Sequence, residues 1–283
     1  MITVEELGTI NPIMVEDNTP LESAAEMLRC HHIHHLPVVA ANRAVGMLST
    51  RDLLGVVSEG PNRKGTSARP AKSTNAGHSL KVADVRSSGL VTIPCETTIY
   101  RAAWLMIQHK IRSLPMVRDN HIVGMLTDTD LLRACMVGLR RPNDPTEYWR
   151  RFPVADYMST PVWKIEPTDS ALNAWMQMRE HDVRHLAVVR NNGLDLVMGI
   201  LSDDDVLEAL RGTSAMDASA LSPTIQVAEI MTSHVISVGK YDKLTQAAEK
   251  MLSHDIAAVL VMDTCLEGII TRVDLLKAIV KMG

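Results

Sequence analysis

The stretch Gly124-Met125-Leu126-Thr127-Asp128-Thr129-Asp130 decides the fold, because its pattern is written four times. A glycine, two apolar residues, a Ser or Thr, two further positions and an Asp recur at Gly46 to Asp52, Gly199 to Asp205 and Gly268 to Asp274. Two apolar residues follow each Asp, so each string predicts a strand running into a helix. Upstream lie four stripes with apolar or small residues at i, i+3, i+4 and i+7, the mark of a one-sided amphipathic helix. They are Leu21, Ala24, Ala25, Leu28; Ile99, Ala102, Ala103, Met106; Ala171, Ala174, Trp175, Met178; and Leu244, Ala247, Ala248, Met251.

The offsets are constant. Seventeen residues before each stripe stands a valine: Val4, Val82, Val154 and Val227. Twelve residues after each stripe begins stands Ile33, Ile111, Val183 or Ile256, opening predicted strands at 35–39, 113–117, 185–189 and 258–262. Only the stripe-to-glycine distance varies (25, 25, 28, 24), and that variation falls in a hairpin turn, where insertion is tolerated. Each copy therefore reads as short strand, helix, strand, hairpin turn, strand, helix. A unit of roughly 55 residues with one apolar sheet face cannot cover that face alone, so copies should pair. The linker 140–152, with Pro142 and Pro145, divides the chain into 1–139 (motifs 1–58 and 80–139) and 153–283 (motifs 153–212 and 226–283).

Composition narrows the functional classes. The 283 residues carry 29 basic and 33 acidic side chains, a balance unlike that of a general nucleic-acid binder. One Phe, four Trp and four Tyr make a base-stacking platform unexpected. Four cysteines show no Cys-x-x-Cys spacing, which fits a reducing cytoplasm. No apolar run nears the ~18 residues of a spanning helix, and Glu5 and Glu6 stand where a signal peptide would be positive. No Walker-type string, Gly-x-Gly-x-x-Gly or nucleophile elbow is present.

The valine-led strings, the strand His34-His35-Leu36-Pro37-Val38-Val39 and the Gly46-to-Asp52 string resemble the CBS domain, named for cystathionine β-synthase. The resemblance covers almost the whole chain. It implies an α/β fold of four β-α-β-β-α motifs paired into two Bateman modules, and it leaves no room for a catalytic domain. In number of motifs the chain is similar to the γ subunit of AMP-activated protein kinase and to stand-alone prokaryotic four-motif proteins. Such a resemblance implies a non-catalytic regulatory sensor that binds AMP, ADP or ATP between paired motifs and acts on a partner protein. It also implies a homodimer through the module helices, with a self-closed monomer as the alternative.

Within each string, the resemblance assigns the Asp to the ribose hydroxyls and the Ser/Thr and neighbouring basic residues to phosphate. The chemistry is sound on its own terms: a carboxylate accepts two bonds from a cis-diol, and a helix start favours anions. Copy two offers Thr127, Thr129, Asp130 and Arg112, the fullest set. Copy one offers Ser49, Asp52, His34 and His35, with Arg51; copy three offers Ser202, Asp205, Arg184 and His185, with Asp203 and Asp204 adding negative charge. Copy four has Thr271 and Asp274, but Ala257 and Ala258 stand at its basic positions, so its site is expected to be empty or to take only a nucleoside unless Arg272 points inward. The bland alternative is that Ser/Thr-x-x-Asp merely caps a helix.

Rival readings are an S-adenosylmethionine-type ligand, nucleic-acid binding through the basic loop 60–78, and a purely structural interaction module. The His31–His35 cluster reads as a cleft cluster whose protonation below about pH 6.5 strengthens nucleotide binding, rather than as a metal site. Cys30 reads as a buried small hydrophobe, and Tyr148, Trp149 and Phe152 as anchors of the linker.

Overall fold

A computed structural model describes residues 2–41, 43–59, 80–87, 89–119, 121–137, 145–191, 195–210 and 225–282. The four stripes form the first helix of each copy: Leu21–Cys30, Ile99–His109, Ala171–Glu180 and Leu244–Ser253. Their apolar faces are buried. Each helix leaves through one left-handed residue at the equivalent position, His32, Lys110, Asp182 or Asp255, with φ of 51°, 53°, 52° and 50°. The middle strands follow at once: His35–Ala40, Ser113–Arg118, His185–Asn191 and Ala258–Met262. Each pairs antiparallel with a strand that carries the glycine string, Arg43–Ser49, His121–Thr127, Asp195–Ser202 or Leu266–Thr271. The second helices then run Thr50–Glu59, Asp128–Val137, Asp203–Leu210 and Arg272–Val280. A two-residue strand lies parallel to each middle strand and completes four small sheets.

The valine-led segments do not stay with the copy they introduce. The Val4 N–H donates to Thr97 O at 2.8 Å, and Thr9–Ile10 pairs with the string strand of copy two. In return, the Val82 N–H reaches Thr19 O at 2.9 Å, and Ser87 bridges Met47 of copy one. Copies three and four exchange in the same way: Val154 donates to Asp242 O and Val227 to Asp169 O, both at 2.8 Å. The exchange binds copy one to two and three to four.

It also explains the repeated glycine. A Cβ on Gly199 would lie 2.8 Å from Thr232 O, on Gly124 2.9 Å from Thr9 O, and on Gly268 3.3 Å from Ser159 O. At Gly46 it would strike Ser87 O. Each of these oxygens belongs to the exchanged segment, which crosses the sheet close enough to leave no room for a side chain at Gly46, Gly124 and Gly199 and little at Gly268.

The two modules meet through helices. Ile99–His109 and Asp128–Val137 of copy two share one core with Leu244–Ser253 and Arg272–Val280 of copy four. Thr50–Glu59 of copy one lies against Asp203–Leu210 of copy three. These contacts join helices of the two modules within one chain. The linker aromatics sit in the same core: Trp149 is fully buried, Tyr148 stacks on Phe152 at 4.2 Å, and the Tyr148 and Tyr157 hydroxyls are 2.8 Å apart.

Cys30 departs from expectation. It is exposed, its Sγ lies 3.0 Å from Glu26 Oε1, and that carboxylate raises the thiol's pKa. The basic loop 60–78 lies outside the described residues. Among the described residues, no helix is long and apolar enough to cross a membrane.

Candidate functional site

All four strings are helix caps, and all four use one geometry. Asp52 Oδ2 accepts from Ser49 N at 2.8 Å and Ser49 Oγ at 2.6 Å. Asp130 does so from Thr127 (2.8 and 2.7 Å), Asp205 from Ser202 (2.7 and 2.6 Å) and Asp274 from Thr271 (2.9 and 2.8 Å). Capping therefore takes Oδ2 in every copy. For Asp130, Oδ1 has no partner among the described residues. For Asp274, Oδ1 accepts from Lys277 Nζ at 2.8 Å and Ser159 Oγ at 3.4 Å.

The residues between Ser/Thr and Asp converge from all four copies. Arg112 Nε donates to Asp128 Oδ2 at 2.7 Å, and both side chains are largely buried. Arg272 does point inward: it is 7% exposed, faces Asp128 at 3.4 Å and donates to Thr129 Oγ1 at 2.7 Å. Arg184 lies 3.6 Å from Asp203, and His34 Nδ1 lies 3.5 Å from Asp204, which also accepts from Thr50 Oγ1 at 3.4 Å. The two acids read as obstacles to phosphate are thus tied to basic partners.

Burial sets the protonation of this network and the ion pairs modify it. Burial would raise the Asp128 carboxyl, but Arg112 and Arg272 outweigh it and hold it low. Asp204 is likewise held low against burial by His34 and the arginines. Asp203, with weaker pairing, is pushed up by burial. Desolvation, reinforced by Arg112 and Arg184, lowers both His35 and His185 to about 3. His35 is therefore neutral across the physiological range, which corrects its reading as a proton-driven phosphate contact.

A cavity of about 570 Å³ opens beside the copy-four string. That is within the range for a small-molecule site. Thr271 and Asp274 line it. Ser159, Thr160 and Pro161, on an exchanged segment, join Val183, Ile269 and Trp163 as a mostly apolar wall. Trp163 is 43% exposed and stacks on His181 at 3.4 Å. Its cations come from both modules: Arg51, Lys110 and Arg112 from the first, Arg184 from copy three, and Arg272 and Lys277 from copy four itself. Lys110 pairs with Asp182 across the modules at the rim.

Of the predicted residues, Arg112, Arg184, His185, Thr271 and Asp274 line this cavity. Ser49, Asp52, His34, His35, Thr127, Thr129, Asp130, Ser202 and Asp205 do not. Copy four, expected to be the poorest site because alanines hold its basic positions, borders this cavity with its own Arg272 and Lys277 and with cations of the other copies. Lys110, Trp163 and Ser159 were not foreseen. Lys110 and Ser159 carried a usable signal in their fixed offsets from the stripes; Trp163 carried none. Among the described residues, no group of His, Cys, Asp and Glu side chains is arranged to hold a metal ion.

Fold and site together define a repeat protein of exchanged α/β motif pairs with a cavity lined by residues of all four copies. The chain belongs to the CBS-domain family, whose model matches residues 4–59, 82–137, 154–212 and 227–281. Protein MJ1225 of Methanocaldococcus jannaschii is 24% identical over 94% of both chains. Its crystal structure, proposed as an archaeal homologue of the AMP-activated protein kinase γ subunit, superposes with a TM-score of 0.81 over 98% of this chain and 99% of that one. A Pyrococcus horikoshii protein superposes over 98% of this chain and 100% of its own, with a TM-score of 0.64 at 20% identity. A homoserine O-acetyltransferase of Methanocorpusculum labreanum is 38% identical, but the match spans 46% of this chain and only 23% of that enzyme.

Proposed function

We propose that this protein is a non-catalytic sensor of adenine nucleotides, AMP, ADP or ATP, which passes ligand occupancy to a partner protein through the geometry of two modules, 1–139 and 153–283. The observation that carries the reading is the copy-four cavity, lined by the Asp274 carboxylate, the Thr271 hydroxyl and the guanidiniums of Arg51, Arg112, Arg184 and Arg272. The apolar wall of Pro161, Val183 and Ile269 suits a planar base. Asp274 receives the ribose diol once Lys277 and Ser159 yield Oδ1, and phosphate faces the guanidiniums. A cleft crowded with guanidiniums disfavours the sulfonium of S-adenosylmethionine. Capping by the same strings does not compete with this reading, since each Asp has two oxygens.

Isothermal titration of nucleotide-stripped protein with AMP, ADP, ATP and S-adenosylmethionine tests the reading. Saturable micromolar binding of an adenine nucleotide, about -8 kcal/mol, is expected, and Asp274→Ala should abolish it at this cleft. Silence from all four ligands would refute it and leave a structural interaction module.

A further inference from the structure

The two sides on which the modules meet are built differently, and the cause lies in the first helices. Four and eight residues after each apolar stripe begins stand two residues on one helix face. In copies two and four they are Ala103 with Ile107 and Ala248 with Leu252; in copies one and three, Ala25 with Arg29 and Trp175 with Arg179. Where the second residue is aliphatic, the helix closes on the opposite module. Ile99–His109 packs on Arg272–Val280 and Leu244–Ser253 on Asp128–Val137, with Ile107 and Leu252 against the core that copies two and four share. Ala103 and Ala248 are fully buried, and their small side chains permit the close approach. Where the second residue is arginine, it keeps to solvent. Arg29 and Arg179 are exposed, and Arg29 lies in the field of Glu208 on the second helix of copy three. Among the described residues, Leu21–Cys30 and Ala171–Glu180 do not pack on the opposite module as their counterparts do. Copies one and three meet instead through their second helices, Leu207 reaching the copy-one core. Asp204 adds its contacts with Thr50 at 3.4 Å and His34 at 3.5 Å. The His34 and Asp204 side chains are 54% and 40% exposed, so water competes readily for that pair.

We propose that the chain flexes on one side only: the modules hinge about copies two and four, and open and close at copies one and three. Opening on the hinge side would bare the shared apolar core, in which Trp149 of the linker is fully buried. Opening on the other side breaks polar contacts that water replaces, and it leaves each module intact. The cavity spans both sides. Arg51 of copy one and Arg184 of copy three line it as electrostatic neighbours, while Ile107 and Leu276 line it from the shared core. Opening therefore moves Arg51 away from Arg184 and leaves the wall of Ile107 and Leu276 in place. The hinge does not depend on which ligand fills the cavity.

Spin-label distances in the ligand-free full chain test this. Cys30, Gln108, Glu180 and Ser253 each stand nine residues after their stripe begins, and all four are exposed. Cys95 and Cys135 are buried, and Cys265→Ser removes the other exposed thiol. One chain carries labels on native Cys30 and on Glu180→Cys. The other carries them on Gln108→Cys and Ser253→Cys, with Cys30→Ser. The distance distribution between copies one and three is expected to be about twofold broader than that between copies two and four. Equal widths, or a broader distribution between copies two and four, overturn the proposal. Should a labelled chain not fold, hydrogen exchange in the wild type decides. Amides of Leu21–Cys30 and Ala171–Glu180 should then exchange about tenfold faster than those of Ile99–His109 and Leu244–Ser253, and equal rates overturn the proposal. Neither readout uses a nucleotide, so failure of the hinge and failure of the adenine-nucleotide reading are seen separately.

Discussion

Adding one methyl group at the repeated glycine tests the exchange of segments directly. At Gly199, a Cβ would stand 2.8 Å from Thr232 O and 2.9 Å from Met231 Sδ. Met231 can rotate; Thr232 O cannot. It accepts from Ile200 N at 3.1 Å, and Thr232 N donates back to Ile200 O at 2.9 Å, so the clash falls on a closed pair of backbone bonds. Relief requires a shift of several tenths of an ångström. That weakens two bonds of about 0.5–1.5 kcal/mol each, on top of an overpacking cost of about 1–3 kcal/mol. Alanine's lower unfolded-state entropy returns about 0.4–1 kcal/mol, leaving Gly199→Ala destabilised by about 1.5–3 kcal/mol. At Gly268 the nearest backbone oxygen is 3.3 Å away and the closer obstacle is the Met158 side chain. Gly268→Ala should therefore lose only about 0–1 kcal/mol. A Cβ on Gly89 meets nothing within 4 Å among the described residues, so Gly89→Ala should be neutral or slightly stabilised. Urea-denaturation midpoints of the three variants should fall in that order. If Gly89→Ala unfolds as early as Gly199→Ala, the glycines answer to strand propensity and not to the crossing segment, and the argument fails.

Trp163 should report ligand directly. AMP entering beside its stack with His181 is expected to change tryptophan fluorescence, and a change that survives in Trp163→Phe would place the ligand elsewhere. His35 and His185, lowered to about 3 in the fold against ~6.5 when unfolded, take up protons on unfolding as pH drops. Stability should therefore fall from about pH 6.5 toward pH 3, with the depressed Asp128 adding its own loss below about pH 4. A urea midpoint as high at pH 4.5 as at pH 7, or an equally steep loss in the His35→Gln/His185→Gln double variant, would count against this assignment. Trp149→Ala should cost about 3–5 kcal/mol as a core truncation. Trp149→Phe should stay within ~1 kcal/mol, because the buried indole N–H has no partner among the described residues; thermal unfolding of both separates packing from hydrogen bonding.

What the sequence shows and what it hides follow from the range of each interaction. The four stripes start at the residues where the four helices start, because amphipathic period and capping are local. The strands follow for the same reason. The exchange of segments was hidden: an apolar Val-Ala-acid string announces that it will be buried but not against which of four similar copies. Gly46 and its counterparts hold the trace, since a glycine repeated at the head of each string implies a close backbone approach, yet the approaching segment is far away in sequence. The site divides in the same manner. Thr271 and Asp274 belong to the cleft they sit in, whereas Arg51 and Lys110 reach it from the other module. Ranking clefts by the charge of their own string therefore placed copy four last.

That delivery of charge across modules bears on how occupancy would be transmitted. The core joining copies two and four is broad and apolar, with Trp149 sealed inside it, so wholesale separation of the modules would expose too much surface to serve as a signal. The polar contacts around the cleft are different in kind. Lys110 and Asp182 are both well exposed, and Arg51 has no ion pair among the described residues. Shifting a two-state arrangement from 1:99 to 99:1 needs ~5.5 kcal/mol of differential binding. One guanidinium–phosphate contact supplies about 1.5–3 kcal/mol, so Arg51 alone biases the balance without completing it. A full shift requires the phosphate to recruit a second first-module cation, and Arg112 is held by Asp128 at 2.7 Å. Lys110, whose only described partner is an exposed rim carboxylate, is the cation that can move to the ligand at least cost, which makes the Lys110–Asp182 contact the place where ligand occupancy would first become a change of shape.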